Sequence, residues 1–524
     1  MKISTGSNSS AAGGADVIFS DAPSFGPVTV RPNDPRYSEL VVGRNRRWVA
    51  APDSVHLVGT TDQVRRVVQE AIHTGKRVSV RSGGHCHADF VYNSAVELII
   101  DFSLMNQIYY DPKRKAFAVE SGAQLGRIYE TLFKGWDVTI PGGVCPTVAI
   151  GGHASGGGHG LLSRQFGNVA DHIEAVEMVV NRHGTAHTVI ASREDSGPEN
   201  DLWWASTGGG GGNFGVITRY WFRSREATGS DPSLYLPRPP KEVLISMMFV
   251  PWSGLDQTKF TNLIRNLGTW YEHNSDPSSP YAALCGLIYV QHVSSGGIGM
   301  LTQVDATVPN AVQLLNDYLT AVTAGTGVTE PFSYRRLPWM ASTETIYTSN
   351  QTVMTDLTPR NAVKSAYLRR NFTDEQITAI YRNMTRTDYT NPGGSVIQLG
   401  AMAGGKINAV PPTATAVVQR SSAFLAYFQS SWADPTEDDI HLGWLRDIYR
   451  EVFDDTGGYP VPGDRYEGCS INGPDLDITD PAFNQSGVPW HTFYYGENYA
   501  RLQRAKAHWD PTNFFRHSLS ITAP

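Results

Sequence analysis

Two short stretches hold side chains able to do covalent and acid–base chemistry. "RSGGHCHADF", Arg81 to Phe90, sets His85, Cys86 and His87 directly behind a Gly83–Gly84 pair. Sixty residues after His85, within "PGGVCPTVAIGGHASGGGHG", Cys145 precedes a run of glycines that holds His153 and His159. A thiol among exposed backbone amides suits attack on a bound electrophile, although a lone Cys more often packs as a small hydrophobe. A Cys86–Cys145 disulfide is the other use of that pair, but four cysteines in 524 residues do not make a disulfide framework. Consecutive glycines expose N–H groups in nests that fit phosphate oxygens. His85 with His87, or His153 with His159, has no acidic or cysteine partner at ligand spacing, which argues against a metal. "GGGGGNFG" contains Gly210-x-Gly212-x-x-Gly215, formally a dinucleotide fingerprint. It runs into the strand-like "VITRYWF" and not into a helix, so these glycines read as backbone lying close to an anion or a ring.

The elements that must carry these stretches alternate. "TTDQVRRVVQEAIHTGKR" places Val64, Val67, Val68, Ala71 and Ile72 on one helical face, with Thr61 or Asp62 to cap it and Gly75 to end it. "RVSVRSGGH" is a short strand entering the Gly–Gly turn, and "VELIIDFS" and "AFAVESGA" are further strands. "AQLGRIYETLF" is a second helix, with Leu125, Ile128 and Leu132 inward. "IEAVEMVVNRHGTAHTVIA" folds back at His183–Gly184 as a hairpin. A Pro-rich connection around "REATGSDPSLYLPRPPKE" marks a boundary. Beyond it "KEVLISMMFVPW", "ALCGLIYVQHV", "LTQVDATV" and "FLAYFQSSW" form a second sheet, interleaved with helices such as "DQTKFTNLIRNLGTWYEHN". The expected organisation is α+β: a mobile segment 1–40, a first domain 41–225, a second domain 226–465, and a C-terminal segment 466–524 that ends in a helix stopped by Asp510–Pro511.

Bulk properties exclude several classes. A net charge of -7 argues against a nucleic-acid binder. No stretch is long and apolar enough for a membrane span, and the N-terminus lacks a secretory-type apolar run, so the expected location is cytoplasmic.

At these residues the chain resembles the berberine-bridge-enzyme-like branch of the FAD-linked oxidases. The paired stretches around His85 and Cys145 carry the likeness, together with "DLWWASTGGGGGNFGVITRYWF" and "RLQRAKAHWDPTNFF". It is most similar to bacterial antibiotic-tailoring oxidases of the hexose and aclacinomycin type. The resemblance implies a two-lobed FAD-binding domain of the PCMH type and a substrate domain of antiparallel sheet covered by helices. It also implies that His85 bonds the flavin 8α-methyl carbon and Cys145 the C6 carbon. Arg81, Ser82, Gly83, Gly84, Gly151, Gly152, His153, Gly156, Gly157, Gly215, Val216 and Asn513 are implied to line the cofactor. Val148 stands where a small side chain leaves room for O2 beside the ring.

The chain departs from that branch where the substrate proton is removed. Relatives carry tyrosines in a motif like "YINYPD", whereas "CSINGPDLD" puts Ser470 and Gly473 at both tyrosine positions. A further family tyrosine is Ala403, and the aromatic of "GGGYG" is His159. His159 is therefore the expected general base, since imidazole titrates near neutrality, with Tyr466 or Glu467 as substitutes. The expected activity is a bicovalent FAD oxidase that oxidises an alcohol on a bulky, sugar- or polyketide-bearing molecule and passes electrons to O2. Oxidative cyclisation or desaturation, and a flavin-holding binding protein without catalysis, stay open beside it.

Overall fold

The computed structural model describes residues 26–349 and 359–524. Three sheets organise them. The first has four strands in the spatial order Val28–Val30, Ser54–Leu57, Leu98–Asp101, Val78–Arg81, and all its pairs except the first are parallel. Leu98–Asp101 is buried at every position, as a strand covered on both faces must be. The second sheet is antiparallel, in the order Ile108–Asp111, Ala116–Glu120, Val216–Phe222, Ile173–Arg182, Thr185–Ser192. The third is a seven-stranded antiparallel sheet: Arg335–Pro338, Glu242–Pro251, Gly297–Asp305, Leu284–Gln291, Ser395–Gly400, Phe424–Trp432, Arg360–Leu368.

Sequence periodicity accounts for most elements. Helix Thr61–Thr74 buries Val64, Val67, Val68 and Ala71. Its cap is Thr60, one residue before those expected, whose hydroxyl accepts from the Gln63 N–H, and Gly75 ends it with φ 68°. The segment expected to be mobile up to residue 40 is structured from Gly26 onward. Val-Thr-Val, β-branched throughout, pairs with Ser54–Leu57, and Val30 is wholly buried. Residues 1–25 lie outside the described residues.

The third sheet has two unlike faces. Along Phe424–Trp432, Ala426, Phe428 and Ser430 are buried, while Tyr427, Gln429 and Ser431 are only half-buried. Phe428 meets Tyr449 of helix Asp438–Val452 edge-on, so the buried set faces the helical layer. The alternate set faces the first sheet across a cleft.

The C-terminal segment crosses back to the first two sheets. Lys506, in helix Tyr499–Trp509, is fully buried and donates to the Asn213 carbonyl at 2.6 Å, the Phe515 carbonyl at 2.7 Å and the Asp510 carboxylate at 2.7 Å. Asp510 also accepts the backbone N–H groups of Phe514 and Phe515, each at 2.9 Å. One buried ammonium thus ties the tail to the glycine loop before strand Val216–Phe222. Lys506→Met strands a dry carboxylate and two carbonyls, with an expected loss of about 3–5 kcal/mol in denaturant unfolding. Adding Asp510→Asn should restore part of that loss. Unchanged unfolding of the single variant would show the tail is held by other contacts.

Candidate active site

A cavity of about 760 Å³ separates the carboxyl ends of the first sheet from the open face of the third. Clefts at such strand ends are where open α/β sheets bind ligands. Strand Val78–Arg81 delivers the Ser82–His85 turn to its wall, and the segment before helix Ile150–Ser155 delivers Cys145. The two turns touch through bare backbone: a Cβ on Gly83 would stand 2.6 Å from the Ala149 nitrogen. That approach brings His85 Nε2 to 2.9 Å from the Thr147 hydroxyl, which lies 3.6 Å from Cys145 Sγ. A single hydroxyl therefore sits between the imidazole and the thiol. Arg44 also donates to Cys145 Sγ, at 3.9 Å.

Burial holds the histidines of this wall neutral. It pushes His85 down to about 3, with the Arg44 charge adding to the effect. His153 falls to about 3 and His159 to about 4 for the same reason. Each ring therefore keeps a lone pair at neutral pH. His85 Nδ1 has no protein partner among the described residues, and the His153 Nε2 lone pair accepts the Gly143 N–H at 3.1 Å, pinning the loop ahead of Cys145. Cys86 is a different thiol: burial pushes it up to about 11. None of the four cysteines is in a disulfide.

Of the residues expected to face a flavin, Ser82, Gly83, Gly84, His85, Cys145, Val148, Gly151, Gly152, His153, Gly215 and Val216 line the cavity, and so does His159. Arg81 does not line it: its guanidinium is tied to Asp101 at 2.6 Å beneath the turn. Gly156 and Gly157 lie behind the wall, bare so that Asn472 and Val417 can pack against them. Asn513, at φ 51°, shapes the turn after Asp510–Pro511 that swings Phe515, Arg516 and His517 to the cavity.

The substitute bases are also elsewhere. Tyr466 is buried against Phe453 and accepts from Gln376 at 2.6 Å. Glu467 is saturated by Ser421, Ser422, Arg369 and the Arg420 N–H. Tyr466 bridges to Leu368, so this stretch belongs to the sheet edge and not to the cleft.

Sequence reasoning missed Arg44, His517 and the third-sheet contributors Asn361, Tyr427 and Gln429. Tyr427 and Gln429 were detectable as polar side chains recurring every second residue in the apolar "FLAYFQSSW". His517 carried no such signal. It stacks on Phe90 at 3.8 Å and contacts the Gly211 carbonyl at 3.1 Å.

These residues suit a flat, anionic cofactor. A Cβ on Gly152 would meet no protein atom within 4 Å and would project into the cavity, where a planar ring needs bare backbone. Gly210 and Gly212, at φ 83° and 75°, bring left-handed backbone to the same space, with the Gly210 N–H donated to the Ser155 carbonyl at 2.9 Å. Among the described residues no cluster of His, Cys, Asp or Glu could hold a metal ion, and no helix is long and apolar enough to cross a membrane.

Comparison with known proteins agrees with this geometry. Residues 52–189 match the FAD binding domain family, and residues 471–522 match the family described as berberine and berberine like. The aclacinomycin-N/aclacinomycin-A oxidase of Streptomyces galilaeus is 46% identical over 94% of this chain and 89% of its own length. The hexose oxidase of Chondrus crispus is 30% identical, over 93% of each chain. A crystal structure of a glycopeptide hexose oxidase complexed with teicoplanin superposes with a TM-score of 0.89 at 46% identity, covering 95% of this chain and 99% of that one. The Cys145 and His85 turns, the mixed helices and antiparallel sheets, and these likenesses converge: the chain belongs to the berberine-bridge-enzyme-like family of FAD-linked oxidases.

Proposed function

We propose that this enzyme tailors a natural product, an antibiotic or a related glycoside or polyketide, by oxidising one of its alcohols, with FAD tethered through His85 and Cys145. The observation that carries the reading is the shared Thr147 hydroxyl, which sets an uncharged imidazole and a thiol side by side on the wall of one large cavity. FAD, when bound, supplies the hydride acceptor and lets O2 take the electrons as H2O2.

The chain's own residues account for the rest. Two covalent anchors would hold the ring without a closed pocket, which frees the cleft for a bulky substrate. The cavity of about 760 Å³ lies in the upper part of the usual range for ligand pockets and takes in the cofactor wall together with the substrate cleft. Backbone N–H groups of the Ser82–His85 turn receive the anionic arm, with Arg44 adding positive charge. The apolar side chains of Val148, Val216 and Phe515 line parts of the same cavity.

Incubation with a panel of glycosylated polyketides and glycopeptides should release peroxide with at least one member and yield a product lighter by two hydrogens, without cyclisation. A cyclised or desaturated product would replace the alcohol assignment, and no turnover with flavin in place would point to a binding protein. The Val148 side chain generates a second expectation. Val148→Leu should slow reoxidation by O2 on the order of tenfold, the equivalent of about 1.4 kcal/mol of steric cost, with flavin reduction unchanged in stopped-flow absorbance.

A further inference from the structure

Positions 470 and 473 carry no phenol, yet both touch one. Tyr427 donates its hydroxyl hydrogen to Ser470 Oγ at 3.0 Å. A Cβ on Gly473 would stand 2.7 Å from Tyr427 Cε1, so any larger residue there would displace the ring. Tyr427 lines the cavity from the third sheet, opposite the wall that bears Cys145. Its ring centroid is 6.3 Å from that of His159. The bare position at 473 and the small hydroxyl at 470 thus make one site, shaped to seat a phenol that arrives from another strand.

We propose that Tyr427 accepts the hydroxyl proton of the substrate alcohol, taking over from the phenols absent at 470 and 473. The inference rests on the oxidase reading above. Tyr427 first loses its own hydroxyl proton to solvent as pH rises; the substrate O–H bond then breaks and its proton goes to the phenolate oxygen. The carbinol C–H bond breaks with its electron pair, which leaves as hydride to the flavin of the holoenzyme, and a C=O bond forms.

The groups around Tyr427 and His159 set how strong a base each becomes once its lone pair is free. Burial pushes the phenol up to about 12, the Ser470 hydrogen bond pulls the other way, and the Cys469 thiol adds to the rise. Cys469 itself is pushed to about 12, and burial raises Tyr367, which also reaches Ser470. Across the sheet Tyr427 faces Ser365 and Gln398, both uncharged. His159, held near 4, is a weak base by comparison. A phenolate in these surroundings is a strong proton acceptor whose populated fraction grows as pH rises.

The test uses the flavin-loaded enzyme with an alcohol that yields peroxide. The wild type should show kcat rising from neutral to alkaline pH. Tyr427→Phe should lower kcat about 10²–10⁴-fold, abolish the alkaline rise, and remove one titrating group from the phenolate absorbance. Its flavin colour and substrate Kd should stay as they are. Ser470→Ala, which removes the hydrogen bond that lowers the phenol, should move the rise to higher pH. A Tyr427→Phe enzyme with wild-type kcat and pH profile would overturn the assignment alone. A wild type that keeps its flavin yet oxidises no alcohol would overturn the oxidase reading and this inference with it.

Discussion

The close approach of two side-chain-free backbone turns is the constraint on which the site depends. Gly83 lies so near Ala149 that an added methyl group would stand only 2.6 Å from the Ala149 nitrogen and would push the turns apart. Because the turns touch, Thr147 reaches His85 and Cys145 together, and a nucleophilic nitrogen and sulfur share one wall. Glycine density here is therefore a packing requirement as well as a way to expose amides to a ligand.

The remaining architecture holds that wall opposite a second one. The third sheet turns an alternating polar face, with Tyr427 and Gln429, toward the cleft and keeps its apolar face under helices. A buried ion pair, Arg420 to Asp171 at 2.6 Å, joins segments 249 residues apart. The His87 ring meets the Asn361 amide at 2.9 Å, which links the Cys86 turn to strand Arg360–Leu368. Each tie joins segments far apart in the chain.

Much of this was legible from residue types and spacing. The glycine loops around His85 and Cys145 announced close backbone approach, whereas the roles expected of that nitrogen and that sulfur came only from the family resemblance. Helix Thr61–Thr74 and hairpin Ile173–Ser192 followed from period and turn residues. What stayed hidden was what distant segments contribute. Tyr466 and Glu467 attracted attention by adjacency along the chain, but their strand-edge pairing turns them into the protein interior. Tyr427 lies more than forty residues from Ser470, and only the folded sheet brings the two within hydrogen-bonding distance. His159 was read from its intrinsic imidazole pKa, which burial then lowers to about 4.

The account stands or falls on both turns gripping one cofactor molecule. Purified protein, denatured in acid and digested with a protease, can be mapped by mass spectrometry for the peptides that hold His85 and Cys145. The proposed double attachment predicts a single species in which both peptides are joined through one flavin. Recovery of both peptides at their unmodified masses, with the flavin left in the acid supernatant, would contradict it.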